Sequence, residues 1–96
     1  MAGPERLADT SIPRLPRGVR VRFDAVRGTH MLLAPERAVR LDAIAAAILG
    51  ETDGVRSVSE IAEVLAGRYG APVGQVLGDV RGFLIGLMDK RMVEAG

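Results

Sequence analysis

The sequence predicts an α+β domain with a winged helix-turn-helix-like order, a three-stranded antiparallel sheet followed by three helices. Three observations carry this. Apolar and charged residues alternate with a period of two from Val19 to Ala25. Pro35 divides the apolar residues that follow into two further short runs. From Asp42 onward the apolar spacing lengthens to that of a helix, and the helix starts carry suitable cap residues.

The first strand places Val19, Val21, Phe23 and Ala25 on one face, with Arg20, Arg22 and Asp24 on the other. Arg27-Gly28 is expected to close a short hairpin, because Gly takes positive φ without a steric penalty. Thr29–Ala34 is the return strand. Its continuous Met31-Leu32-Leu33 run predicts burial on both faces, or partial cover by a helix. Pro35 has no N–H to donate and ends that ladder. Arg37–Leu41 is then a third, short strand at an exposed edge, Val39 and Leu41 alternating with Ala38 and Arg40.

Asp42 is the expected N-cap of a short helix, Ala43–Leu49, with Leu41, Ile44 and Ile48 on one face. Ser57-Val58-Ser59-Glu60 matches a capping box and opens a second helix to about Arg68. Its core face is Val58, Ile61, Ala62, Leu65 and Tyr69, and Gly70 is the stop. Pro72 suits the first turn of a third helix to about Lys90. Val73, Val76, Leu77, Val80, Phe83, Leu84 and Leu87 form its core face. On its far side Gly74, Gly78, Gly82 and Gly86 recur every four residues. Each costs about 1 kcal/mol relative to Ala in a helix interior. Either they are tolerated weak helix formers, or they form a flat strip for close approach of another backbone. Ile85, within the strip, is expected to face outward.

A chain of 96 residues with 48% apolar content forms one domain with one modest core. Phe23, Phe83 and Tyr69 are its only aromatic residues, so that core is aliphatic. It contains no Cys, and His30 is the single His, which argues against thiolate or His-based metal sites and against a Cys nucleophile. Ser57 and Ser59 read as caps, Asp79 and Asp89 as solvated helix residues, and no phosphate loop or dinucleotide fingerprint is present. No catalytic residue, metal ligand or cofactor is therefore expected; the protein is read as a non-enzyme.

The net charge of +1 implies no polyanion partner. Residues 1–40 nevertheless hold eight Arg against four acids, and residues 41–96 five basic residues against eight acids. This is either the chance distribution of solvated faces or a mixed-charge groove that orients a charged peptide. The longest apolar run, Ala43–Leu49, falls short of the ~20 residues of a membrane span, so a cytoplasmic protein without a membrane partner is expected. Met1–Gly18, with Pro4, Pro13 and Pro16, reads as a flexible N-terminal segment in which Ile12 and Leu15 can pack on the sheet or on another copy. Residues 19–93 are the expected domain and 94–96 a tail.

The second and third helices also admit a winged-helix DNA-binding regulator as an alternative function. A recognition helix needs basic or amide side chains near its start. The third helix offers only Gln75 before Asp79, and Arg81 comes two turns in, so no nucleic acid partner is expected.

One stretch carries a family resemblance: Pro16-Arg17-Gly18 leading into Arg20-Val21-Arg22-Phe23-Asp24, then Arg27-Gly28, then Leu32-Leu33-Ala34-Pro35-Glu36-Arg37 and Leu41-Asp42. Ala47-Ile48-Leu49, Asp53-Gly54, Ile61 with Leu65, Tyr69, and Asp79-Val80 with Phe83-Leu84 continue it. The sequence resembles the PqqD family of pyrroloquinoline quinone (PQQ) biosynthesis over roughly Leu15 to Val93. It departs from that pattern at the glycine strip. The resemblance implies a peptide chaperone, a stand-alone recognition element for ribosomally made precursor peptides. Such a protein binds the precursor peptide PqqA and delivers it to the radical S-adenosylmethionine (SAM) enzyme PqqE, which joins a Glu and a Tyr of the peptide.

The resemblance also implies strand addition, the peptide pairing with the third strand and lying against the third helix. An edge strand with unpaired N–H and C=O groups is physically suited to this. The expected peptide-binding residues are Arg37, Ala38, Val39, Arg40 and Leu41 with Asp79, Gly82, Phe83 and Gly86. Ala38 and Arg40 would supply ladder bonds, Phe83 an apolar wall, and Asp79 with Arg37 would read charge. Val39→Pro is the substitution expected to spoil the edge. The same edge predicts a capacity to form a homodimer.

Overall fold

In the computed structural model, which describes residues 7–95, the alternating segments form one three-stranded antiparallel sheet and the chain ends form a second, two-stranded one. The elements are β1 (Pro13–Arg14), β2 (Arg20–Asp24), β3 (Thr29–Ala34), β4 (Arg37–Leu41), α1 (Ala43–Gly50), α2 (Val58–Tyr69), α3 (Val73–Asp89) and β5 (Glu94–Ala95). The larger sheet runs β2-β3-β4. Val21 lies opposite Leu32 and Leu32 opposite Val39, giving an apolar row across its inner face. Leu32 is fully buried there, with Val21 and Val39 packed against the core. Ile48 and Leu49 of α1, Val58, Ile61, Ala62 and Leu65 of α2, and Val80, Leu84 and Leu87 of α3 complete that core.

The caps form as the sequence reads. Asp42 accepts from the Ala45 N–H at 2.7 Å. Ser57 and Glu60 make the reciprocal capping box, and α2 stops at Gly70 in the left-handed region, φ 63°. Each side-chain acceptor satisfies a backbone donor that the helix start leaves unpaired.

Four expectations change. The β2–β3 connection is four residues, Ala25–Gly28, because Asp24 pairs with Thr29. The Asp24 carboxylate draws the chain into a wider turn by accepting from the Val26 and Arg27 N–H groups at 3.0 and 3.1 Å. Ile44, Tyr69 and Val73, read on the apolar faces of their helices, are 54%, 53% and 50% exposed; they lie in the first turn of α1, at the last residue of α2 and at the first of α3, where cover by neighbouring helices thins. Ile85, expected outside, is half-buried against the core.

The fourth change is the segment before β2, expected as a flexible leader. Its described part joins the fold. Leu7 is fully buried, Leu15 packs on the core, and β1 pairs with β5. Val58 and Ser59 N–H groups bond to the Ser11 and Asp9 carbonyls at 2.9 and 3.0 Å, so this segment also satisfies donors at the start of α2. Residues 94–95, expected as tail, are the partner strand, and Met92 and Val93 before them are buried.

Candidate functional site

Among the described residues, strand β4 pairs only with β3. Which of its backbone groups face away follows from the register. Ala34 pairs with Arg37 across the two-residue turn Pro35-Glu36, and such a turn closes on a mutually bonded pair. Alternate residues Arg37, Val39 and Leu41 then bond inward to β3. The Thr29 hydroxyl, on β3, donates to the Leu41 carbonyl at 3.2 Å, which fixes that carbonyl on the inward side. The N–H and C=O groups of Ala38 and Arg40 therefore point outward. The backbone of Val39 belongs to the internal ladder, so the expected Val39→Pro test attacks the fold rather than the edge, and the informative positions are its neighbours.

Helix α3 has a distinct environment on each flank of its buried line Val80, Leu84 and Leu87. At 100° per residue, Leu77, Arg81 and Ile85 fall on one flank and Val76, Asp79, Phe83 and Gly86 on the other. The Arg81 guanidinium donates to the Leu7 carbonyl at 3.0 Å and pairs with Asp9, so the first flank carries the chain's own N-terminal segment. The second flank meets α1 at its N-terminal end, through Val76 and Asp79, and the C-terminal end of the helix is tied to β4. There the Arg37 guanidinium donates to the carbonyl of Lys90, the C-cap of α3, and ties the start of β4 to the end of the helix. Toward the other end of β4, Ile44, Ala47 and Ile48 of α1 meet Tyr69, Val76 and Asp79 around a mostly apolar pocket of about 180 Å³.

The expected residues lie on β4 and α3. Ala38 and Arg40 are exposed, Val39 is half-buried and Leu41 buried. Asp79, Phe83 and Gly86 lie on the open flank. Gly82 sits further round toward solvent, and a Cβ built on it or on Gly74, Gly78 or Gly86 meets nothing within 4 Å. Arg37 is engaged by Lys90 rather than free to read charge. The apolar pocket escaped the sequence reading. Its signal was a surplus of apolar residues at helix ends, Ile44 and Tyr69, which periodicity assigns to a core that does not reach them.

His30 is exposed and its ring meets Phe23 edge-on, centroids 5.0 Å apart. Among the described residues no group of three or more His, Cys, Asp or Glu is placed to hold a metal, and no helix is long and apolar enough to cross a membrane.

The family model of coenzyme PQQ synthesis protein D (PqqD) matches residues 29–93. The chain belongs to the PqqD family. It is 44% identical over 88 residues to the PqqA binding protein of Rhizobium meliloti, covering 92% of this chain and 90% of that one. It is 46% identical over 93 residues to the bifunctional coenzyme PQQ synthesis protein C/D of Methylorubrum extorquens; that match takes in 97% of this chain and 25% of the larger protein, so the chain spans about a quarter of that relative.

Among solved PqqD structures, the solution structure of the PqqD truncation of Methylobacterium extorquens PqqCD, described as a functional and stand-alone recognition element for ribosomally synthesized and post-translationally modified peptides, superposes with a TM-score of 0.82 at 46% identity over 94% of this chain and 96% of that one. The crystal structure of PqqD from Xanthomonas campestris gives 0.57 at 38% identity over 81% and 87%. The sheet-then-helices order is thus the PqqD fold.

Proposed function

We propose that this protein is a peptide chaperone of PQQ biosynthesis. It takes up a precursor peptide of the PqqA type as an added strand on β4 and presents it to a radical SAM enzyme of the PqqE type. The observation that carries this reading is the outward N–H and C=O pairs of Ala38 and Arg40 on the edge strand β4. An added strand completes those bonds, and the relatives named as PqqA binding proteins supply the guest's class. The apolar pocket at Ile44, Tyr69 and Val76 would take one large apolar side chain of the guest, and Phe83 would wall the groove.

Nothing here calls for turnover by this chain. The DNA-binding alternative has no support at α3, whose first turn, Val73-Gly74-Gln75, is without a basic residue. The same edge can also pair with a second copy, and light scattering across a concentration series separates that state from the peptide-binding monomer.

The test is calorimetry with a Glu- and Tyr-containing peptide of the PqqA type on Arg40→Pro beside Arg40→Ala. Proline removes the outward N–H, whereas alanine keeps it and removes only the guanidinium. Affinity is expected to fall at least about tenfold for proline and much less for alanine. Equal affinities of the proline variant and the wild type, with both folded, would rule out strand addition at β4.

A further inference from the structure

We propose that the outer face of the three-stranded sheet docks a second protein through carboxylates on that protein's surface, beside the bound peptide. The face is built from two cross-strand rows. Arg20, Leu33 and Ala38 are direct neighbours in one, and Arg22, Met31 and Arg40 in the other. All point away from the core row Val21-Leu32-Val39, because successive side chains of a strand alternate. The three arginines and Ala38 are exposed. Two open depressions, of about 790 and 450 Å³, meet at Leu33 and Ala38. Met31, only 9% exposed, lies between Arg22 and Arg40, whose alkyl stems can shelter an apolar neighbour.

Charge identifies the occupant. Arg14, Arg27, Arg56, Arg68 and Arg81 each reach a carboxylate, and Arg37 reaches a backbone carbonyl. Among the described residues Arg17, Arg20, Arg22, Arg40 and Arg91 reach neither, and Arg20, Arg22 and Arg40 are the ones gathered on this face. Three unmatched guanidinium groups around an apolar floor have the composition of a protein interface, where arginine is enriched and the centre is desolvated. A nucleic acid or lipid surface would call for a broader basic field than a chain of net charge +1 supplies. The partner is therefore a folded protein with an acidic surface.

Position gives the face its use. Resting on the strand-addition reading, a guest on β4 extends the sheet by one strand, and every second guest side chain then lies on this same outer face, next to Ala38 and Arg40. A protein seated on Arg20, Arg22 and Leu33 would meet those side chains directly. The enzyme that modifies the peptide is the partner that requires this geometry.

The double variant Arg20→Glu/Arg22→Glu lies on β2, separated from the guest by β3 and β4. Binding of the radical SAM enzyme is measured by interferometry on wild type and variant, at low and high salt, with the peptide present and absent. Enzyme affinity is expected to fall at least about tenfold and to lose its salt dependence, while peptide affinity stays within about twofold. Arg20→Ala/Arg22→Ala serves if the reversal unfolds the sheet. Unchanged enzyme affinity, an equal loss of peptide binding in a folded variant, or charge-dependent capture of anionic vesicles or duplex DNA in place of the enzyme would overturn the proposal. If the wild type binds no peptide but the enzyme is still lost on charge reversal, the docking face stands and the strand-addition reading falls.

Discussion

On one flank of α3, Arg81 holds residues 7–9 of the same chain against the helix, and Leu7 is fully buried. On the other flank lie Asp79, Phe83 and Gly86, and Arg37 ties the end of the helix to β4, whose outward backbone groups at Ala38 and Arg40 pair with no described strand. One helix thus carries a closed side that the chain fills with its own leader and a side that the proposed function assigns to the guest. The closed side should control stability with little effect on binding, and the open side the reverse.

The largest expected effect breaks the closed side. Leu7→Ala removes a fully buried side chain and should cost about 2–5 kcal/mol in denaturant unfolding. Peptide affinity of the fraction still folded should hold. A loss of binding with no loss of stability would reverse the assignment of the two flanks.

Next in size is the open side. Ile44 is 54% exposed at the rim of the apolar pocket. Ile44→Asp should leave thermal unfolding within about 0.5 kcal/mol of wild type. It should weaken the peptide about fivefold to tenfold by calorimetry, because an apolar guest side chain would then face a carboxylate.

Glycine substitutions sharpen the comparison further. Gly78 and Gly86 both have room for a Cβ. Each change to Ala should raise stability by about 0.4–1 kcal/mol by reducing the freedom of the unfolded chain. Only Gly86→Ala, on the open flank, should also weaken the peptide. If neither changes affinity, the guest backbone does not approach that flank closely, and the strip is simply a set of weak helix formers.

The smallest effect lies away from both flanks. Asp53 accepts from the Arg56 and Val55 N–H groups, which hold its carboxyl below the usual range. A lowered folded-state value means that its contribution is present above the unfolded value and is lost as pH falls through the folded one. Asp53→Asn should therefore flatten the fall in melting temperature between about pH 5 and about pH 2 slightly, without touching peptide binding.

The legible parts of the fold are those set by local chemistry. The strand limits Thr29–Ala34 and Arg37–Leu41 follow from alternation and from Pro35, and the capping box at Ser57 and stop at Gly70 follow from the few ways a helix end can satisfy its backbone. The β2–β3 turn was misjudged because Asp24, counted as a solvated strand residue, organises the loop through its side chain. At the site, β4 is readable as an edge from the sequence. The pocket at Ile44 and Tyr69 is not, nor is the bond from Arg37, expected to read charge, to the Lys90 carbonyl.

The sequence alone determined each residue's direction on its own strand or helix, and with it the amphipathic plan and the PqqD resemblance. Only the tertiary structure decided which neighbour lies in that direction: a leader residue, Leu7, bonded to Arg81 74 positions later, and Arg37 bonded to the Lys90 carbonyl at the end of α3. The physical reason is that periodicity and capping are local, whereas closing or leaving open a face depends on contacts between segments far apart in the chain.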